Sequence, residues 1–150
     1  MALEISELKR TSQGIVTAAI LSNGDTVILH PEAAIEYSVR TGCEFTQQEI
    51  EVIQGQSLIF AARDKAVEYL ARREHSSNEI ILKLRKKGYD VETAERAVEL
   101  CNERGYVNDR RFAQMWIQSR LKKHPEGRSS LAAGLARKGV PREIAGEVLD

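Results

Sequence analysis

The chain has 150 residues, which is enough for one ordinary domain or for two small units that share a core. Its 22 basic and 22 acidic side chains balance, its two cysteines are too few for a disulfide framework or a zinc site, and no apolar run approaches the roughly 20 residues of a membrane span. We therefore expect a soluble, cytoplasmic protein with reduced cysteines, and without a signal peptide, a metal or a membrane segment.

The charges are distributed unevenly along the chain. Residues 1–55 carry three basic and eight acidic side chains, which gives −5, whereas residues 56–150 carry 19 basic and 14 acidic side chains, which gives +5. The basic part suits nucleic acid or an acidic protein surface. Alternating charge on helices is just as typical of a solvated face, so both interpretations stay open at this point.

Residues 1–55 are predicted to form a small α+β module that contains a β-hairpin. Two β-rich stretches, 14–22 and 26–30, flank an Asn-Gly pair, and these two residue types tolerate positive φ and favour a hairpin turn. Residues 3–10 are a candidate third strand. The sequence therefore predicts that the front of the chain forms a module of strands and helices rather than a purely helical one.

Two short helices are predicted after the hairpin. Pro31 suits the first turn of one of them. Thr46 and Glu49 match a capping box, in which each side chain satisfies a backbone amide of the other residue, and this box opens a helix that ends near Gln54. We expect a domain boundary or hinge near Gly55.

From residue 57 onward the sequence favours helices only. Capping residues mark the helix starts, as in the capping box of Ser76 and Glu79, and glycines followed by an apolar residue mark the ends. Gly134 lies inside a predicted helix, where it should cost about 1 kcal/mol relative to alanine. The predicted helices span about residues 57–74, 77–87, 91–104, 109–123, 128–138 and 141–150.

Part of the sequence is repeated. The stretch "KLRKKGYD" at 83–90 recurs in altered form as "GLARKGVP" at 134–141, 51 residues later. The matching positions are apolar residues and helix stops, which a repeated helical unit must keep. We therefore predict a mainly α fold with two tandem three-helix repeats, at 56–107 and 108–150, in a curved array that follows the N-terminal module.

An ordered series of short motifs covers about residues 60–150. The motifs are Arg72-Arg73-Glu74-His75-Ser76, Glu79, Lys83-Leu84, Lys87-Gly88, Gly105-Tyr106, Asp109, Arg111-Phe112-Ala113, Arg120 and Lys138-Gly139-Val140. This series resembles the RecX family, the bacterial regulators of the RecA recombinase. The β-rich front is similar to an N-terminal extension that some members carry. The family has three tandem repeats where this chain has two, so either this member is short or its third unit has been cut away.

The resemblance implies a non-enzymatic regulator of homologous recombination, DNA repair and the SOS response. Such a protein binds the RecA–single-stranded DNA filament and inhibits its ATPase and strand-exchange activities, or destabilises the filament. It needs no cofactor and no small-molecule substrate. The residues agree, because the three histidines are scattered along the sequence and it contains no glycine-rich phosphate loop.

The basic residues of the repeats are the candidate contacts for RecA and DNA. Those in the last turn of a helix also favour the helix dipole, which is a structural reason for them to be basic. Lys83 and Lys87 share a helix face with Glu79, where an ion-pair ladder is the alternative to binding. The full set of candidates is Arg72, Arg73, Lys83, Lys86, Lys87, Arg111, Arg120, Lys122, Lys123, Arg128, Arg137 and Lys138.

The densest basic cluster contains Arg120, Lys122, Lys123 and Arg128, and only Glu126 opposes it. Each phosphate that such a cluster neutralises releases counterions and adds affinity. Arg120 lies on the edge of an apolar helix stripe. It is therefore either a half-buried arginine paired with an acid, since an unpaired buried charge is costly, or a side chain that projects into a groove.

Two other functions fit the same sequence. One is a helical DNA-binding protein that needs no recombinase, because three-helix units can place a helix in the major groove. The other is an adaptor for an acidic protein surface. Phe112 and Trp116 are at helical spacing, which favours core positions over base stacking, and Cys101 lies on an apolar stripe that predicts a buried thiol.

Overall fold

The computed structural model describes residues 2–150, which form two compact units. The first unit ends at Ala62 and the second begins at Arg63. The elements in chain order are β1 (Ala2–Arg10), β2 (Val16–Leu21), β3 (Thr26–Ile28), α1 (Pro31–Glu36), β4 (Glu44–Thr46), α2 (Gln47–Arg72), α3 (Ser77–Lys86), α4 (Val91–Glu103), α5 (Asp109–Lys123), α6 (Arg128–Arg137) and α7 (Arg142–Leu149). Across the described chain, none of the helices is both long enough and apolar enough to cross a membrane.

The first unit contains a four-stranded antiparallel sheet with the strand order β3-β2-β1-β4. The predicted hairpin is confirmed, and Gly24 in its turn has a φ of +91°. The candidate third strand is confirmed as β1. Strand β4 lies outside the predicted strands, because its three residues depend on non-local pairing with β1, as between Leu3 and Phe45.

Helix α2 begins at the predicted capping box. The Glu49 amide lies 3.1 Å from Thr46 Oγ1, and the Thr46 amide lies 3.0 Å from Glu49 Oε1. The predicted helix end near Gln54 is wrong, and no hinge interrupts α2 at Gly55. A glycine inside a helix costs only about 1 kcal/mol, which is less than the burial of neighbouring apolar side chains such as Ile53 contributes.

The helices predicted from residue 57 onward are confirmed as two sets of three: the second half of α2 with α3 and α4, and α5 with α6 and α7. Ser76 and Glu79 form the predicted capping box at α3. Gly88 and Gly139 follow α3 and α6 with φ values of +106° and +80°, the left-handed backbone that glycine adopts most easily. The mainly α fold with a small mixed front is therefore confirmed.

The second repeat has its own apolar core. Its buried members are Phe112, Ala113, Leu135, Val140 and Ala145, with Trp116 packed against them. A Cβ atom at Gly134 would lie 2.2 Å from Trp116 Cη2, so the glycine inside α6 makes room for the indole ring. The core positions predicted for Phe112 and Trp116 are confirmed, and so is the burial of Cys101, where burial raises the pKa of the thiol.

Candidate functional site

The two repeats meet where the start of α3 packs against the end of α6. Ser76 Oγ donates a hydrogen bond of 2.7 Å to the Lys138 carbonyl, and the Ser77 amide donates one of 2.7 Å to Asp109 Oδ1. A Cβ atom at Gly139 would lie 2.3 Å from the Cβ of Asn78. Gly139 therefore lets the chains approach closely as well as ending its helix. We call this region the repeat joint, comprising residues 73–79, 109–111, 138 and 139.

Ion pairs extend the repeat joint on both sides. Glu79 Oε2 lies 3.4 Å from Arg73 Nη2 and 3.6 Å from Lys138 Nζ, which come from different repeats. Glu74 Oε1 lies 2.5 Å from Arg111 Nε, and this contact also crosses from one repeat to the other. The predicted ladder of Glu79 with Lys83 and Lys87 is therefore replaced by pairing across the repeat joint.

The carboxylate of Glu79 is stabilised by its surroundings. Burial alone would raise its pKa, but the hydrogen bond from the Ser76 amide and the Arg73 guanidinium outweigh burial and lower the pKa below the ordinary value for glutamate. A lowered folded-state pKa means that the stabilisation is present above the unfolded pKa and is lost as pH falls through the folded pKa. The repeat joint is thus sensitive to acid.

We expect Glu79→Gln to lower the free energy of unfolding by about 1 kcal/mol at pH 7, because it removes the charged partner of Arg73 and Lys138. On lowering the pH from 7 to 3 the difference from the parent protein should shrink, because a growing fraction of Glu79 becomes protonated in the parent too. Urea unfolding at both pH values measures this. The control is Glu95→Gln at an exposed position of α4, which should change stability by less than about 0.5 kcal/mol at either pH. A Glu79→Gln effect of equal size at both pH values would contradict the proposed link between the protonation of Glu79 and the stability of the protein.

Lys83 is held inside the first repeat. Its Nζ lies 2.7 Å from His75 Nε2 and 5.1 Å from the centre of the Tyr69 ring. His75 is 1% exposed, and its Nδ1 lies 2.9 Å from the Arg73 carbonyl. Since lysine only donates, Nε2 accepts and Nδ1 carries the proton. Burial, assisted by the charges of Arg73 and Lys83, lowers the pKa of His75 and keeps the imidazole neutral.

Arg120 is paired with an acid, as one of its two sequence interpretations expected. Its Nε donates to Glu126 Oε1 at 2.8 Å, its Nη2 bonds the same oxygen, and its guanidinium carbon lies 4.9 Å from the centre of the Trp116 ring. The Glu126 side chain is 5% exposed, and the hydrogen bonds from Arg120 lower its pKa. The structure therefore supports the half-buried, paired interpretation of Arg120.

Arg128 is also engaged within the second repeat. Its Nη1 donates to the Leu149 carbonyl at 2.7 Å, and its Nη2 lies 2.6 Å from Asp150 Oδ1. The side chain thereby joins the start of α6 to the end of α7. The predicted cluster of four cations therefore divides into two paired arginines and the two lysines Lys122 and Lys123.

The twelve predicted contact residues divide evenly into two groups. Six have partners within the chain: Arg73, Lys83, Arg111, Arg120, Arg128 and Lys138. The other six are exposed, and their side chains make no hydrogen bond or ion pair with any residue from 2 to 150. We call them the free cations: Arg72, Lys86, Lys87, Lys122, Lys123 and Arg137.

Every free cation lies in the last turn or at the C-cap of a helix. Arg72 ends α2, Lys86 and Lys87 end α3, Lys122 and Lys123 end α5, and Arg137 ends α6. The helix dipole favours positive charge there, while the charged ends of the side chains remain in solvent. The structural and the binding interpretations are therefore compatible for these residues.

Some cations of the repeats that also have free side chains were not among the predicted contact residues. Arg85 lies in the last turn of α3 beside Lys86, and Arg142 begins α7; both are exposed and unpaired within residues 2–150. Arg85 belongs to the same basic run as Lys86, so the run itself was the signal that could have found it. The contacts across the repeat joint carried no comparable signal, because their partners lie 32 to 62 positions apart.

Two family models match this chain over most of the repeats. The model described as RecX, first three-helix domain, matches residues 62–101, and the model described as RecX, second three-helix domain, matches residues 108–149. The chain belongs to the RecX family. Relatives named regulatory protein RecX agree with this placement, as do solved RecX structures.

The RecX protein of Clostridium tetani is 29% identical over 119 residues, covering 79% of this chain and 54% of that relative. The RecX protein of Chlorobaculum tepidum is 39% identical over 90 residues, covering 60% of this chain and 56% of that relative. The chain thus spans about half the length of the curated relatives it matches.

Solved structures share the RecX fold. A crystal structure of regulatory protein RecX superposes with a TM-score of 0.80 at 16% identity, covering 98% of this chain and 72% of that one. RecX from Lactobacillus salivarius gives a TM-score of 0.57 at 20% identity, covering 61% of this chain and 60% of that one. At these identities the likeness concerns the fold alone, and in the first structure it includes the β-rich front.

Proposed function

We propose that this chain is a non-enzymatic, cytoplasmic regulator that binds the RecA–single-stranded DNA filament and inhibits its ATPase and strand-exchange activities. Membership of the RecX family, whose members are named regulatory proteins, supports a role in regulating RecA. The observation that carries the proposal is the set of six free cations, distributed over both three-helix repeats. Family membership names the partner, and the free cations supply the chemistry for contacting it.

The proposed mechanism is steric and electrostatic. The repeats occupy space on the filament, while the free cations lie near phosphates and displace condensed counterions. The paired cations have a different task, because their side chains are engaged within the chain, and two of them, Arg111 and Lys138, join one repeat to the other. Lys122 and Lys123 are the favoured phosphate contacts, since they adjoin one another on α5 and their neighbour Arg120 already neutralises Glu126.

We expect Lys122→Glu combined with Lys123→Glu to raise the concentration needed for half-inhibition of DNA-dependent RecA ATPase by about tenfold at low salt. The slope of log affinity against log salt should fall by about 1.4, because roughly 0.7 counterions are released per neutralised phosphate of a single strand. The measurement is ATPase with this protein titrated in at two salt concentrations. Both lysines are exposed, so the fold should survive.

The control for this experiment is Lys9→Glu, which reverses an exposed lysine of the first unit whose side chain has no partner within residues 2–150. It should leave half-inhibition unchanged. If the double variant inhibits at the same concentration and with the same salt dependence as the parent, these lysines are not part of the interface. If the parent protein has no effect on the RecA ATPase at either salt concentration, the proposed function itself is wrong.

Binding to bare DNA and to RecA-coated DNA separates this proposal from its rivals. Filament regulation predicts tighter binding to the RecA-coated strand. Tight and sequence-selective binding to bare duplex would favour a DNA-binding protein that acts without a recombinase. Binding to RecA that persists without DNA would favour an adaptor for an acidic protein surface.

A further inference from the structure

The first unit carries an open apolar groove beside α1. Its volume is about 470 Å³, and its apolar lining comes from the turn between β1 and β2, from α1 and from the segment that follows α1. Two isoleucines of the lining are exposed, Ile15 by 43% and Ile35 by 78%. An isoleucine so far exposed on a short helix contributes little to the unit's own core. We call this feature the α1 groove, lined by Ile15, Val16, Pro31, Ala34, Ile35 and Val39.

The charge around the α1 groove is opposite to the charge of the unit that carries it. Residues 1–62 contain eight acidic side chains and only three basic ones, yet two of the three, Arg10 and Arg40, line the groove. None of the acidic side chains lines it among the described residues.

The two arginines differ in how they are held. Arg10 Nη1 donates to the Gly14 carbonyl at 3.0 Å, which fixes the guanidinium beside the groove. Arg40 is exposed, and its side chain makes no hydrogen bond or ion pair with any residue that the structure describes. A guanidinium is suited to carboxylates because its planar fork donates two parallel hydrogen bonds. The Arg10 guanidinium is thus already fixed in position, and the Arg40 guanidinium is free to bind a carboxylate.

Ser38 adds a third observation at the same place. It lines the α1 groove and adopts a φ of +50°, the left-handed backbone that costs a residue with a side chain about 1–2 kcal/mol. Its position just after α1 is one where glycine is usual. A serine there keeps a hydroxyl at the groove edge, where it can hydrogen-bond an occupant.

We propose that the α1 groove binds a short segment of a partner protein that carries an apolar anchor flanked by carboxylates. The anchor occupies the apolar lining between Ile15 and Ile35, and the carboxylates meet Arg10 and Arg40. Apolar anchors in grooves with polar or charged rims are the usual arrangement of segment recognition. The groove lies in the first unit, whereas the proposed filament contacts lie in the second, so each proposal can fail without the other.

Selection from a library of random dodecapeptides on the immobilised full chain tests the proposal. We expect the enriched peptides to share an apolar residue flanked by Asp or Glu. Their affinity, measured by fluorescence polarisation, should fall about tenfold with Ile35→Ser and about tenfold with Arg40→Glu. Both substituted side chains are exposed, so circular dichroism and the unfolding midpoint should match those of the parent.

Two matched controls complete the experiment. Ile28→Ser changes an isoleucine that is also 78% exposed but lies outside the groove, and Lys9→Glu changes the third cation of the unit; neither should alter peptide affinity. The proposal is overturned if no peptides are enriched or if the enriched peptides are basic. It is also overturned if the affinity of the enriched peptides is unchanged by Ile35→Ser and Arg40→Glu. Concentration-dependent dimerisation that Ile35→Ser abolishes would also overturn it, because the occupant would then be a second copy of this chain.

Discussion

Gly139→Ala is expected to lower the free energy of unfolding by about 3 kcal/mol, whereas Gly88→Ala should lower it by about 1 kcal/mol. The two glycines are equivalent positions of the two repeats, 51 residues apart, and both have positive φ. Both alanine variants therefore bear the cost of a left-handed backbone. The difference between them comes from what surrounds each glycine.

A Cβ at Gly88 would have no heavy atom within 4 Å, whereas a Cβ at Gly139 would lie 2.3 Å from Asn78 Cβ, 2.5 Å from Cγ and 2.6 Å from Nδ2. The nearest of these atoms, Cβ, is bonded directly to the α3 backbone, so the contact cannot be relieved by moving the end of a flexible side chain. The α6 turn must then move away from α3. That movement would also weaken the Ser76 hydrogen bond to the Lys138 carbonyl, which is 2.7 Å long.

Urea unfolding of the parent and the two alanine variants measures this difference. A double variant, Asn78→Gly with Gly139→Ala, supplies the decisive control because it removes the atom that the new Cβ meets. Gly139→Ala should cost about 2 kcal/mol less in the Asn78→Gly background than in the parent. If alanine lowers the free energy of unfolding equally at Gly88 and Gly139, or if its effect at Gly139 does not depend on Asn78, the repeat joint does not require a residue without a Cβ at position 139.

The second large effect is expected at Gly134, where alanine should destabilise the protein by about 2 kcal/mol. Helix propensity alone predicts the opposite, because alanine inside a helix is favoured over glycine by about 1 kcal/mol. A Cβ at Gly134 would lie 2.2 Å from Trp116 Cη2 and 2.8 Å from Cζ2, so the indole must leave its place. Its face also carries the guanidinium of Arg120, which would shift with it.

Gly146→Ala is the matched control for Gly134→Ala. Gly146 also lies inside a helix of the second repeat, but a Cβ there would meet no heavy atom within 4 Å. This variant should stabilise the protein by about 0.5–1 kcal/mol. Since Trp116 is the single tryptophan, its emission should change in Gly134→Ala and stay constant in Gly146→Ala. Stabilisation of both variants would contradict the packing reason given for Gly134.

Much of the helical part could be predicted from the sequence because its signals are local. A capping box places the side chain and the amide that it satisfies within three residues, as at Ser76 and Glu79. A glycine stop is equally local, as at Gly88. The repeat itself was visible because these stops recur at a fixed spacing. Each such signal is decided within about one helical turn.

The features that sequence reasoning missed depend on distant partners. Strand β4 exists through its pairing with β1, and α2 continues past Gly55 because side chains on both sides are buried. The same holds for the candidate site, where twelve basic residues looked alike in the sequence. Six of them proved to be paired, and Lys138, for example, meets Glu79 only because two repeats pack together.

The repeat joint is rich in charge, and this affects how any salt titration of the protein is interpreted. Two ion-pair systems, Glu79 with Arg73 and Lys138, and Glu74 with Arg111, cross between the repeats. Mobile ions weaken partly exposed pairs of this kind at the same concentrations at which they compete for phosphates. The slope of log affinity against log salt would therefore count the loosening of the protein together with the counterions released from DNA. Only the change in slope between the parent and the Lys122→Glu, Lys123→Glu variant, which share the same repeat joint, isolates the counterions that those two lysines release.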